Sequence, residues 1–117
     1  MSKQITTLFL DDFKYPEWYD LKAEDIQVCR TGEKALKWAK KRPIDRIYLD
    51  HDLGEGMSGY TMLERLIEEF HNPPKEVIII SLNAVGSQRI TALCRHHGIS
   101  VMNRLPPERI MIGGQSG

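Results

Sequence analysis

The chain has 117 residues, 41% of them hydrophobic and 27% charged, enough for one domain with a real core and too few for two. Sixteen basic against sixteen acidic side chains leave no net charge, which excludes a global electrostatic footprint for nucleic acid or an anionic membrane and leaves room only for local patches. No apolar run approaches a bilayer crossing, nothing resembles a signal peptide, and Cys29 and Cys94 have neither zinc nor redox spacing, so a cytoplasmic protein with buried free thiols is expected.

Ile5 to Leu10 reads as a strand and ends in Asp11-Asp12. Pro16 opens only a brief first helix before the next apolar run, Ile26 to Cys29, and the aromatics between them, Tyr15, Trp18 and Tyr19, read as packing. Thr31 is placed to cap a helix with Glu33 in its first turn, lysines in its last turns and Ala35, Leu36, Trp38 and Ala39 on its buried side. Lys40-Lys41-Arg42 reads as its solvated end, and Pro43 stops it.

A strand over 46–50 then delivers the segment Leu49-Asp50-His51-Asp52-Leu53-Gly54. After a glycine loop, Ser58 and Gly59 precede a helix whose Leu63, Leu66, Ile67 and Phe70 recur at helical spacing, until Asn72-Pro73-Pro74 ends it. Val77 to Ile80 is apolar throughout, the pattern of a parallel strand covered on both faces. A helix is expected from about Ser87, with Ile90, Leu93 and Cys94 inward and Gly98 as its stop, then a short strand from Ile99 to Met102. His96-His97 read as partners of the last helical carbonyls, and His71 has no catalytic context. The residues after Arg104 leave little room for another helix, giving one domain over 1–112 and a loose Gly-rich tail over 113–117.

Strands alternating with helices imply right-handed βαβ units and a parallel α/β sheet. Five strands in a chain of this size fit the flavodoxin-like order 2-1-3-4-5, here with a shortened first helix and a reduced or absent last one. In that order Asp11, Asp12, Asp50 and Asp52 converge with Ser81 and Asn83 beyond the carboxyl ends of the strands. Crowded carboxylates repel one another, and a divalent cation removes the cost; an all-oxygen donor set favours Mg²⁺ or Mn²⁺. Such an ion recruits phosphate oxygens, so a phosphate ester or acyl phosphate is the expected substrate class. Ser81, Asn83, Gly86 and the helix start beyond them are placed either to hold phosphate oxygens or simply to form a turn and a cap. His51 suits proton transfer near neutral pH, although strand alternation points it away from Asp50.

Asp11-Asp12, Asp50, Gly59 and Ser81 resemble the acidic pair, phosphoacceptor, loop glycine and switch hydroxyl of response-regulator receiver domains. That resemblance implies a Mg²⁺ held by the acidic pair, Asp50 and the backbone carbonyl of Asp52. Receivers carry a lysine after the fifth strand; this chain has Asn103-Arg104-Leu105-Pro106, which leaves Arg104 as the expected phosphate clamp. The words Leu-Asp-Asp-Phe, Leu-Asp-His-Asp-Leu-Gly and Ser-Leu-Asn-Ala-Val-Gly are similar to those of the cyclic-phosphate processing receiver domains of bacteria and phages. The resemblance implies a metal-dependent phosphoesterase that hydrolyses a cyclic phosphate or related phosphodiester. Its expected catalytic residues are Asp50 and His51, its metal ligands Asp11, Asp12, Asp50 and Asp52, and its phosphate-binding residues Ser81, Asn83, Gly86 and Arg104. The expected ligand is a small phosphorylated or cyclic-phosphate molecule, with no membrane, no strong nucleic-acid footprint and a protein partner left open. The alternative is a non-enzymatic receiver or pseudo-receiver, phosphorylated on Asp50 or acting through a partner.

Overall fold

The computed structural model describes residues 5–105. Five parallel strands, β1 (Thr7–Leu10), β2 (Gln27–Cys29), β3 (Arg46–Leu49), β4 (Glu76–Ile79) and β5 (Ser100–Asn103), form one sheet in the order β2-β1-β3-β4-β5. This is the flavodoxin-like order expected from the alternation of apolar runs. Helices α1 (Gly32–Ala39), α2 (Gly59–Glu68) and α3 (Ala84–His96) connect β2 to β3, β3 to β4 and β4 to β5. The expectations of a reduced last helix and a loose 113–117 tail lie outside the described residues. No helix among those residues is long and apolar enough to cross a membrane.

The connection from β1 to β2 is short, as the sequence suggested, and holds only two 3-10 turns, Pro16–Tyr19 and Ala23–Asp25. Pro16 begins the first with its fixed φ, and Asp20 ends it in the left-handed region at φ 59°. Thr31 caps α1 by accepting from the Lys34 N–H, and Ser58 caps α2 by accepting from the Thr61 N–H. The third helix starts earlier than the expected Ser87. Asn83 is its cap, its side chain accepting from the Gly86 N–H, so the polar word after β4 is already the first turn of α3.

The sheet buries two unequal faces. One packs against all three helices through Leu8, Leu10, Ile47, Leu49, Val77 and Ile79, met by Leu36 of α1, Leu63 and Leu66 of α2 and Ile90 of α3. Burial of each such side chain is worth roughly 1.5–3 kcal/mol. The other face, Phe9, Tyr48, Ile78 and Ile80, is covered by Tyr19 and Ile26 from the short connection.

Register places the site. Leu10 pairs with Leu49, and Leu49 with Ile79, so the three central strands end level. The residues that follow, Asp11, Asp50 and Ile80, therefore emerge side by side at one edge, with neighbouring strands about 4.8 Å apart. The ladder continues one step past the strands: Asp50 N–H donates to Leu10 O at 2.9 Å and Ile80 N–H to Leu49 O at 3.0 Å.

Candidate functional site

Asp11 folds the loop after β1 around itself. Its Oδ1 accepts from the N–H groups of Phe13 at 3.0 Å and Lys14 at 2.9 Å, and its Oδ2 accepts from Lys14 Nζ at 3.1 Å. Lys14 Nζ also donates to the carbonyl of Ile80 at 3.3 Å. A turn closed by an aspartate thus draws a lysine, only 5% exposed, back over the carboxyl edge of the sheet.

Asp12 and Asp50 complete the cluster. Asp11, Asp12 and Asp50 each offer a carboxylate oxygen, and these oxygens lie within 4.8 Å of one another. Asp50 is buried, and its Oδ1 accepts from the His51 N–H at 2.9 Å. Burial pushes its pKa up to about 6, the negative charge of Asp11 adds to the rise, and the Lys14 ammonium opposes it.

A cavity of about 330 Å³ opens on this edge, with Asp12, Lys14, Asp50, Asp52, Ser81 and Asn83 in its walls. Ser81 is buried, and its Oγ accepts from the Asn83 N–H at 3.0 Å. Asn83 uses its oxygen to cap α3 and its amide nitrogen to reach Asp52 Oδ1 and Oδ2 at 3.3 and 3.1 Å. Asp52 also accepts from the ring of His51, Nδ1 to Oδ1 at 3.0 Å, and the two bonds hold its carboxyl below the usual aspartate range. Its side chain therefore ties the β3–α2 loop to α3, apart from the trio of Asp11, Asp12 and Asp50.

Four of the residues expected at the site are not among those that line the cavity: Asp11, which is fully buried behind it, His51, Gly86 and Arg104. The His51 ring fits against Gly86, so close that a Cβ at that position would stand 2.4 Å from His51 Cγ, and its buried Nε2 has no partner among the described residues. Gly86 is thus the space that admits the ring. Gly59 makes a second such approach, since a Cβ there would meet the Asp50 carbonyl oxygen at 1.9 Å. Arg104 lies over the face of Tyr19 at 5.4 Å. A cation that the sequence reading passed over, Lys14, stands in the cavity wall. Its signal was present as an aspartate followed three residues later by a lysine, directly after a strand.

Tyr19, 1% exposed, presents a hydroxyl with no partner among the described residues. Its pKa is raised by burial and then by the charges of Asp11 and Asp50, which places the phenol in the field of the carboxylates.

Comparison with known proteins matches residues 6–96 to the cyclic-phosphate processing receiver domain family. The chain belongs to that family. Among solved structures, this receiver is similar to a fusion of a yeast Spc42 trimeric coiled-coil segment to another structure, at 21% identity and TM-score 0.62, over 95% of this chain and 74% of that one. It is also similar to the N-terminal domain of a response regulator/sensory box/GGDEF three-domain protein from Carboxydothermus hydrogenoformans, at 18% identity and TM-score 0.58, over 92% and 87% of the two chains. At these identities the likeness carries the receiver fold alone. No curated protein matches the chain.

Proposed function

We propose that this receiver is a divalent-metal-dependent phosphoesterase that opens a cyclic phosphodiester. The observation that carries the reading is the meeting of Asp11, Asp12 and Asp50 within 4.8 Å, beside a buried lysine that shares one cavity wall with Asp12 and Asp50. In this reading the three carboxylates hold Mg²⁺ or Mn²⁺, which neutralises them and polarises the phosphoryl oxygens when bound. Water adds to phosphorus, one ring P–O bond breaks, and the products are a phosphomonoester and a hydroxyl.

The chain's own groups divide the remaining work. Lys14 Nζ has three N–H donors and two protein acceptors, leaving one donor for a phosphate oxygen. The Ser81 hydroxyl accepts from Asn83 and keeps its own proton to donate. His51 serves in this reading by holding Asp52 in place. Proton transfer by His51 would require its ring to leave Gly86.

Turnover of 2′,3′- and 3′,5′-cyclic nucleotides with Mg²⁺ or Mn²⁺ tests the proposal. Hydrolysis of at least one, lost in Asp50→Asn and lowered by ten-fold or more in Lys14→Met, is the expected result. No turnover of any of them, or turnover indifferent to Asp50→Asn, defeats it. Incubation with an acyl phosphate distinguishes the signalling alternative, in which intact mass rises by one phosphoryl group only when Asp50 is present.

A further inference from the structure

A second cavity, about 470 Å³ and larger than that at the carboxylates, lies between the edge strand β2 and α1. Its walls carry Arg30, Lys34, Lys37 and Arg42, with Trp38 and Cys29, and no aspartate or glutamate. None of the four cations is ion-paired with a described residue, whereas Lys14, Arg46, Arg65 and Lys75 all are. In a chain of zero net charge, four uncompensated cations around one concavity make a local focus of positive potential. The neutral composition hides it; the fold gathers it.

Two of the four are already ordered. The Arg42 guanidinium lies over the Trp38 indole at 4.5 Å, and its Nε donates to the Trp38 carbonyl at 2.6 Å. Arg30 Nη1 donates to the carbonyls of Asp11, at 3.0 Å, and Lys14. A guanidinium held in this way keeps its other nitrogens for a planar, two-pronged contact with phosphate and loses little freedom on binding. Lys34 and Lys37 stand three residues apart, hence on one side of α1, and add two point charges. Burial raises the pKa of the Cys29 thiol, while a hydrogen bond with the Gln27 side chain and then the charges of Lys34 and Arg42 act in the opposite sense.

We propose that the cavity between β2 and α1 is an anion site, separate from the carboxylate cluster, that binds a ligand carrying two or more phosphate groups. One phosphate suits the pair of guanidinium groups and another the pair of lysines. A single-stranded nucleic acid and a small polyphosphorylated compound present the same groups, and the experiment tells them apart.

The test is fluorescence anisotropy of a labelled single-stranded oligonucleotide, with inorganic pyrophosphate as competitor and the intact chain as receptor. Binding weakens about ten-fold or more in Lys34→Glu/Lys37→Glu, and again as salt rises from about 50 to about 200 mM. Both lysines are exposed, so the double variant keeps its melting temperature, and Arg42→Gln provides a second loss of binding. Asp50→Asn binds as the wild type does, which separates this site from the proposed phosphoesterase centre. Full displacement by pyrophosphate identifies isolated phosphates as sufficient; resistance to it identifies the strand. No binding of the oligonucleotide, or equal binding by the charge-reversed variant, overturns the proposal.

Discussion

Lys14 Nζ lies 3.1 Å from Asp11 Oδ2, with the two side chains 6% and 0% exposed. The pair is buried, so removing one partner strands the other as an uncompensated charge. Lys14→Met is expected to cost about 3 kcal/mol of stability, at the lower end for buried pairs because Asp11 retains its two backbone N–H donors. Urea unfolding with a chelator present measures it. Added Mn²⁺ is expected to restore part of the loss, since a bound cation replaces the missing ammonium as the counter-charge of Asp11.

The raised pKa of Asp50 sets a pH dependence with a definite sign. Below about pH 4 its carboxyl is protonated in both folded and unfolded chains. Between there and the folded value of about 6, the unfolded chain ionises while the folded one keeps its proton. Stability contributed by the neutral carboxyl is therefore lost as pH rises through this window, by up to roughly 3 kcal/mol. Without metal, the wild type is expected to lose stability relative to Asp50→Asn from about pH 4 to about pH 6 and to run parallel above it. Parallel urea midpoints across the whole range would contradict the assignment.

Two glycines make opposite kinds of close approach. A Cβ on Gly59 meets backbone, the Asp50 carbonyl oxygen, whereas a Cβ on Gly86 meets the His51 ring. Gly59→Ala is expected to destabilise severely with no side-chain change that repairs it. Gly86→Ala is expected to be relieved in part by His51→Ala, giving a coupling of roughly 1–3 kcal/mol in a double-mutant cycle of thermal or urea melts. Strict additivity would show that ring and glycine do not meet.

Asn83 caps α3 and holds Asp52. Asn83→Ala removes a cap worth about 1 kcal/mol and releases the loop that follows β3. A stability loss of that order is expected in urea unfolding, accompanied by faster amide exchange at Asp52 and Leu53. Unchanged exchange there would place the whole effect in the helix.

The sheet order was legible because each central strand is a run of apolar residues bounded by turn signals, and parallel pairing leaves few ways to arrange five of them. Asp11 and Asp50 were legible for the same reason, as each immediately follows a strand end and strand ends align. Lys14 was not: its position depends on Asp11 turning the loop back on itself, a local side-chain to backbone contact that periodicity does not record. Arg104 drew attention through its place after the last strand, yet Tyr19, from a segment far away in sequence, offers its ring to the guanidinium. His51 obeyed strand alternation and turned from Asp50, toward a glycine whose role was readable only once α3 was in place.

Calorimetric titration of Mn²⁺ at neutral pH tests most directly the claim that Asp11, Asp12 and Asp50 form a divalent-cation site. The account expects one ion per chain in the wild type and none in Asp50→Asn with its fold intact. No binding to the wild type, or the same binding to Asp50→Asn, would contradict it.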